Sequence, residues 1–155
     1  MAYLLDTNVF ITVQNQHNKM VFWNWLEWAI KNKIVYSIER VKVELEYEKL
    51  AKWAAARGDA FFLDVDTNTP AALKTVTEWV DSQTKYTESV KHTFYGVADY
   101  YLVAQALAGN YTVVTYEVPS SSSYKIKIPD VCCGVNVCCI KPSEMLRREN
   151  AKFTL

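Results

Sequence analysis

Glycine and proline are scarce in this sequence, with four residues of each, while half of all residues are hydrophobic. This composition excludes a disordered chain, because disordered chains bury too little apolar surface to offset the entropy lost on ordering. A length of 155 residues fits one domain with a substantial core. No internal repeat or linker is recognisable, so we predict a single domain over residues 1–155.

Net charge is also lacking, since seventeen Lys and Arg residues balance seventeen Asp and Glu residues. Overall charge therefore gives no sign of a nucleic-acid-binding protein, although a local basic patch is enough to hold phosphates. Segment 119–155 carries such an excess of Lys and Arg, for which a solvated surface is the simplest account.

The sequence shows no secretory signal and no membrane span. The apolar N-terminal stretch already ends at Asp6, which leaves it too short for a signal peptide. The longer apolar region 94–114 is interrupted by polar residues, namely Asp99, Gln105 and Asn110. We therefore expect a cytoplasmic protein without membrane attachment.

The usual residues of zinc, thiol and histidine chemistry are poorly placed. The cysteines form two adjacent pairs, Cys132–Cys133 and Cys138–Cys139, rather than the C-x-x-C spacing of zinc sites. Without an export signal, reduced thiols are expected. The two histidines, His17 and His92, lie far from the cysteines and are interpreted as surface or core residues.

Short apolar runs alternate with helical patterns along the chain. The apolar runs predict strands at 2–5, 34–36, 61–63, 111–115 and 135–140. Helices are predicted at 20–31, at 37–57 with Ser37 as N-cap, from Thr69-Pro70, at 96–108, and after Ser143 as the cap of a short final helix. Because the strands are apolar throughout, we predict an α/β fold: a three-layer α/β/α sandwich with a central parallel sheet of about five strands.

Two acidic residues are predicted to lie at one edge of this sheet. Asp6 directly follows the first strand, and Glu117 comes two residues after the fourth. In open parallel sheets, ligands bind beyond the carboxyl ends of the strands. Both residues are also compatible with ordinary loop acids, but an aspartate that closes a fully apolar strand needs a hydrogen-bond partner, water or a metal.

Asp99 is the only charged residue between Thr93 and Tyr116, and it lies in the first turn of an otherwise apolar helix. A helix that is apolar on all sides is typically buried between layers. The carboxylate also complements the helix dipole, an effect of about 0.3–1 kcal/mol. Its isolation in so apolar a helix favours the alternative, a functional site.

Glu44 is less distinctive. On the predicted helix 37–57 it lies between two apolar stripes, Val43-Tyr47-Leu50-Ala54 and Ile38-Val41-Leu45. This boundary position lets a carboxylate reach a cleft, but it is equally typical of a solvated side chain. The neighbouring acids Glu39, Glu46 and Glu48 are interpreted as solvated.

Clustered carboxylates point to a hard divalent cation. Carboxylate and water oxygens suit Mg²⁺ or Mn²⁺, which keep several waters that substrate phosphates can replace. One ion polarises a phosphoryl oxygen and generates hydroxide, and a second ion about 3.5–4 Å away stabilises the leaving oxygen. This chemistry needs neither a histidine base nor a cysteine nucleophile.

Four acid-bearing segments follow one another along nearly the whole chain: 3–11 with Asp6, 41–45 with Glu44, 98–106 with Asp99, and 113–117 with Thr115 and Glu117. Their order and spacing resemble the motifs of PIN-domain proteins, especially the VapC-type toxins. Segment 128–132 and the strand after it resemble a PIN-like subgroup of poorly characterised proteins. Glu117 stands where many relatives have Asp, which is one methylene shorter.

The resemblance implies a metal-dependent ribonuclease that hydrolyses RNA phosphodiester bonds with Mg²⁺ or Mn²⁺. It implies catalytic and metal-binding roles for Asp6, Glu44, Asp99 and Glu117. Asn8 is expected to hold Asp6 by a hydrogen bond, and Thr115 to orient a bound water or carboxylate. It also implies a homodimer, and a partner antitoxin protein whose tail occupies the acidic cleft.

Three other functions remain open at the level of sequence. A receiver domain would carry paired acids after the first strand and a lysine after the last, and a D-x-D phosphohydrolase would carry an acid at Asn8. Both patterns fit poorly. The stronger alternative is a catalytically silent PIN-fold module that binds RNA or protein, because the motifs alone do not distinguish binding from cleavage.

Overall fold

The computed structural model describes residues 2–46 and 49–155. The strands in these ranges are β1 Tyr3–Leu5, β2 Val35–Ile38, β3 Phe62–Leu63, β4 Thr112–Val114 and β5 Cys139–Ile140. The helices are α1 Thr7–Gln14, α2 Lys19–Lys31, α3 Glu39–Leu45, α4 Ala51–Arg57, α5 Thr69–Ser82, α6 Glu88–Tyr95, α7 Ala98–Gly109, α8 Ile128–Gly134 and α9 Pro142–Arg148.

The strands form one five-stranded sheet in the order β3-β2-β1-β4-β5, and every pairing is parallel. The central strand β1 is fully buried, because helices flank the sheet and cover its faces. The predicted α/β/α fold with a parallel sheet of about five strands is confirmed. Since β1 and β4 are neighbours, the segments that follow them emerge side by side at one edge.

The predicted helix 37–57 is wrong at its start and in its continuity. Ser37 belongs to β2, where its buried hydroxyl donates a hydrogen bond to the Leu5 carbonyl at 2.7 Å. Ser37 is thus a link between strands rather than an N-cap, and α3 begins at Glu39. Of the first predicted stripe, Leu50 and Ala54 are buried but Val43 is 41% exposed, and Tyr47 lies outside the described residues.

The second stripe is real, because Val41 and Leu45 are fully buried on α3. Of the acids expected to be solvated, Glu46 is exposed, Glu39 is half-buried, and Glu48 lies outside the described residues. The boundary position predicted for Glu44 is also observed, since its side chain is half-buried.

Several shorter elements differ from the prediction. Helices α6 and α8 were not predicted; α6 is capped by the Thr87 hydroxyl, which accepts from the Val90 N–H, and α8 carries a proline in its first turn. Only Cys139–Ile140 of the predicted strand 135–140 pairs, because Asn136 adopts a left-handed conformation with φ of 59°. The final helix begins at Pro142, which precedes the predicted cap Ser143.

Helix α7 is the buried helix that its composition predicts. Leu102, Val103 and Ala104 are completely buried, and α7 lies against α3, α5, β2 and β4. It starts two residues later than predicted and ends at Asn110, whose φ of 57° closes the helix in a left-handed conformation. No helix in ranges 2–46 and 49–155 is long and apolar enough to cross a membrane.

The Ser37–Leu5 hydrogen bond is expected to contribute measurably to stability. Ser37→Ala removes a buried donor and should lower the free energy of unfolding by about 1–3 kcal/mol, as measured by urea titration. Ser82→Ala is the matched control, because the exposed Ser82 makes a similar 2.6 Å bond to the Trp79 carbonyl. Equal losses in the two variants would contradict the role of burial.

Candidate active site

Asp6 lies at the carboxyl end of β1 and forms the N-cap of α1. One carboxylate oxygen accepts from the Thr7 N–H at 2.7 Å, and the other accepts from the Thr115 hydroxyl at 2.8 Å. The residue is only 4% exposed. Asp6 is therefore fixed in one orientation by a helix end and by the segment that follows β4.

Thr115 and Asn8 form the support of this carboxylate. The Asn8 side-chain amide donates to the Thr115 hydroxyl at 3.2 Å, and its carbonyl accepts from the Tyr116 N–H at 3.1 Å. The direct bond from Asn8 to Asp6 expected from sequence is replaced by this indirect path through Thr115. Thr115 orients a carboxylate, as expected, and that carboxylate is Asp6.

Glu44 reaches the same region from α3. One of its carboxylate oxygens accepts from the Thr7 hydroxyl at 2.5 Å. Thr7 thus joins two acids, since its N–H bonds to Asp6 and its hydroxyl bonds to Glu44. Sequence reasoning missed this role of Thr7, although its position directly after the cap residue is a usable signal.

Glu117 follows β4, and its side chain is 11% exposed. One carboxylate oxygen accepts from the Ile128 N–H at 3.1 Å, while the other lies 3.7 Å from the Lys125 ammonium. The Glu117 N–H donates to the Thr115 hydroxyl at 3.0 Å, which ties its backbone to the support of Asp6.

Asp6, Glu44, Asp99 and Glu117 all line one open cavity of about 640 Å³, called here the acidic pocket. Asp99 enters it from the first turn of α7 and is half-buried. Asn8, Thr7, Lys125 and Lys127 also line the pocket, together with five apolar residues: Ile11, Val90, Phe94, Val97 and Ile126. The four acids singled out from the sequence are thus brought together, although they are distant along the chain.

The electrostatics of the pocket follow from burial and from mutual repulsion. Burial, together with the Asp99 charge, raises the pKa of Asp6 to about 7, although the hydrogen bond from Thr115 acts in the opposite direction. Burial and the charges of Glu117 and Glu44 raise the pKa of Asp99 to about 6, while Lys125 lowers it. Both groups are therefore stabilised by protons or by other cations.

The donor chemistry of the pocket fits a hard divalent cation, since the acids present oxygen ligands only. In the side-chain arrangement described, no three Asp, Glu, His or Cys side chains of residues 2–46 and 49–155 converge closely enough to hold one ion. Glu44 and Glu117 are engaged with Thr7, Ile128 and Lys125 instead. A shared ion would require the carboxylates of the pocket to lie closer together.

Neither the cysteines nor the histidines line the acidic pocket. Cys132 is buried, and its hydrogen bond with Cys139 and its burial raise its pKa, so it is a thiol at neutral pH. His92 lies on exposed α6 beside Tyr95. His17 is also exposed, so both histidines are surface residues.

The sheet order, the flanking helices and the acidic pocket at the carboxyl edge define an α/β protein with a PIN-like fold. Two crystal structures share it: VapBC2 from Rickettsia felis bound to a DNA fragment from their promoter, and FitAcB from Neisseria gonorrhoeae. The TM-score is 0.56 and the identity 20% in both cases. The match covers 91% of this chain and 98% of the Rickettsia chain, and 90% and 97% for the Neisseria structure.

The chain belongs to the family of DUF4411, a domain of unknown function, which it matches over residues 3–153. A search of curated proteins gave no match. At 20% identity, the likeness to the two crystal structures concerns the fold.

The stability of the protein in chelator is expected to fall as pH rises towards 7. The folded state keeps protons on Asp6 and Asp99 up to about pH 7 and 6, whereas the unfolded chain loses them near 3.8. Each raised pKa therefore favours folding below 3.8, and this advantage is lost as pH rises through the folded value.

Asp99→Asn should flatten this pH dependence and raise stability at pH 8, because it removes one repelling charge. The check is urea unfolding of both proteins between pH 4 and 8 in chelator. Asp59→Asn is the control, since Asp59 is exposed and outside the pocket. If Asp99→Asn kept the parent's slope, the coupling among the acids would be absent.

Proposed function

We propose that this protein is a Mg²⁺- or Mn²⁺-dependent endoribonuclease, and that it is the VapC-like toxin of a toxin–antitoxin pair. The observation that carries the proposal is the convergence of four carboxylates, from four separate segments, on one cavity at the carboxyl edge of the sheet. The raised pKa values of Asp6 and Asp99 favour cation binding over a purely structural role, because no cation other than Lys125 and Lys127 lines the described pocket.

In this proposal, Asp6, Glu44, Asp99 and Glu117 hold the ion. The ion supplies charge for the phosphoryl oxygen and lowers the pKa of the attacking water. Asp6 is the most rigid ligand, because both of its oxygens already accept hydrogen bonds. Asn8 and Thr115 are positioning residues that keep Asp6 ionisable and directed into the pocket.

The remainder of the pocket suits a single-stranded RNA. The lining of the pocket includes apolar side chains beside the acids, and Tyr124 at its mouth is 89% exposed, which makes it available for stacking on a base. Lys125 and Lys127 supply positive charge at the same mouth. The apolar and aromatic side chains suit the base of a nucleotide, and the lysines suit its anionic phosphate.

An antitoxin partner and a homodimer belong to the same proposal, as does a cytoplasmic location. The support is the motif resemblance to VapC-type toxins, together with the fold that the chain shares with VapBC2 and FitAcB. Expression of the protein alone should arrest growth, and co-expression with the product of a neighbouring gene should relieve the arrest. Unimpaired growth with active ribonuclease in the cell would contradict the toxin part of the proposal and leave the cleavage part standing.

A silent PIN-fold module that binds RNA or protein is the second candidate. It is favoured by the distances within the pocket, since no three of the carboxylates in the described residues lie close enough together to hold one ion. Calorimetric Mn²⁺ binding combined with the absence of cleavage across a panel of RNAs would select this candidate over the nuclease.

Cleavage is expected to require a divalent ion and Asp99. Labelled RNAs incubated with Mn²⁺ should yield fragments with 5′-phosphate ends, and chelator should stop the reaction. Asp99→Asn should lower the rate at least about 100-fold, because it removes the charge of a proposed metal ligand from the pocket. Asp59→Asn, an exposed acid outside the pocket, should cleave at the parent's rate. Cleavage by Asp99→Asn at the parent's rate would refute the assignment.

Glu117→Gln is expected to reduce the rate less, by about 10-fold. Glu117 already bonds to Ile128 and pairs with Lys125, so it contributes less of its charge to an ion than Asp99 does. The same cleavage assay, run over a range of Mn²⁺ concentrations, measures this effect. A loss in Glu117→Gln as large as that in Asp99→Asn would contradict the ranking.

A further inference from the structure

Lys125 is the one residue of the described pocket that forms an ion pair with a pocket acid. Its ammonium lies 3.7 Å from the Glu117 carboxylate. The lysine side chain is 60% exposed, whereas the glutamate side chain is 11% exposed. The cation therefore reaches in from the mouth of the pocket towards an acid that lies inside.

The charge of the pocket explains why a cation is attracted to this position. Four carboxylates and the two lysines 125 and 127 line it, which leaves a net charge of −2 when all are ionised. Lys125 also acts on Asp99, whose pKa it lowers. One lysine thus offsets the repulsion between two acids that lie on different elements.

We propose that Lys125 is an internal cation of the acidic pocket: it competes with the divalent ion for Glu117, and after exchange its ammonium binds a phosphate oxygen of the substrate. The inference rests on the proposed function for the identity of that substrate. With Lys125 in place, the fully ionised pocket carries a net charge of −2, which one divalent ion would neutralise.

The pair has the properties that such an exchange needs. A partly exposed lysine–carboxylate pair is weak, and the long side chain of lysine lets the ammonium move without changing the backbone. Glu117 keeps its hydrogen bond from the Ile128 N–H when Lys125 leaves, so it stays inside the pocket. Lys125 remains at the pocket mouth, where a substrate phosphate would enter.

Calorimetric titration of Mn²⁺ into variants of the full chain tests the competition without relying on cleavage. Lys125→Met should bind Mn²⁺ about 10-fold more tightly than the parent, because the ion no longer has to displace the ammonium. Lys127→Met is the matched control: it removes the same charge from the same pocket, but it breaks no ion pair within residues 2–46 and 49–155. Its gain should be clearly smaller.

A double-mutant cycle with Glu117→Gln locates the effect. In the Glu117→Gln background, Lys125→Met should no longer give a larger gain than Lys127→Met, because the carboxylate in dispute is gone. Equal gains for the two lysine variants in the Glu117 background, or a lack of Mn²⁺ binding by all variants, would overturn the proposal.

Cleavage kinetics test the second part of the proposal, that the Lys125 ammonium binds a phosphate oxygen of the substrate. Lys125→Met should raise KM for RNA severalfold with a much smaller effect on kcat, while Lys74→Met, which breaks the remote exposed pair with Glu78, should change neither constant. An unchanged KM would overturn this half. If the parent binds Mn²⁺ but cleaves no RNA, the proposed function fails, whereas the titration still decides whether Lys125 competes for Glu117.

Discussion

The structure around the pocket depends on the burial of one carboxylate, that of Asp6 at the end of the central strand. A charge in this position loses most of its hydration, so it needs donors from its surroundings. Two are provided, the Thr7 N–H and the Thr115 hydroxyl, and they come from elements that follow β1 and β4. The parallel pairing of these two strands is what brings the donors to the same carboxylate.

The other acids are arranged around this fixed centre. The Thr7 hydroxyl donates to the Glu44 carboxylate, and the Thr115 hydroxyl accepts from the Glu117 N–H. The two threonines that bond to Asp6 thus also contact the two glutamates. Asp99 comes from the buried helix α7, whose other residues are largely apolar; the charges of Glu117 and Glu44 raise its pKa, and its own charge raises the pKa of Asp6. Hydrogen bonds to Asp6, Glu44 and Glu117 therefore hold mutually repelling carboxylates in one pocket.

The sequence reveals those features that depend on local patterns, and it hides those that depend on tertiary contacts. The apolar strands, Asp6 after β1 and Asp99 in an apolar helix are all visible in the local pattern. Ser37 was misread as a helix cap, because a serine before a helix resembles a cap whether its hydroxyl bonds to the helix or to a neighbouring strand, as it does here. Lys125 was treated as surface charge, since nothing in segment 119–127 indicates that it folds back towards Glu117.

Glu117, which is one methylene longer than aspartate, holds the loop after β4 close to the pocket through its side-chain contacts. Lys127, the residue before α8, provides no side-chain cap. The Ile128 N–H at the start of α8 donates to the Glu117 carboxylate instead. The Glu117 side chain thus connects the two ends of segment 117–128 through its bond with Ile128. Its other oxygen forms the ion pair with Lys125. A purely structural cap would need only one oxygen, and it would gain nothing from an acidic neighbourhood that raises the cost of its charge. The second oxygen, directed towards a movable cation inside a shared pocket, is the feature that a structural role alone does not explain.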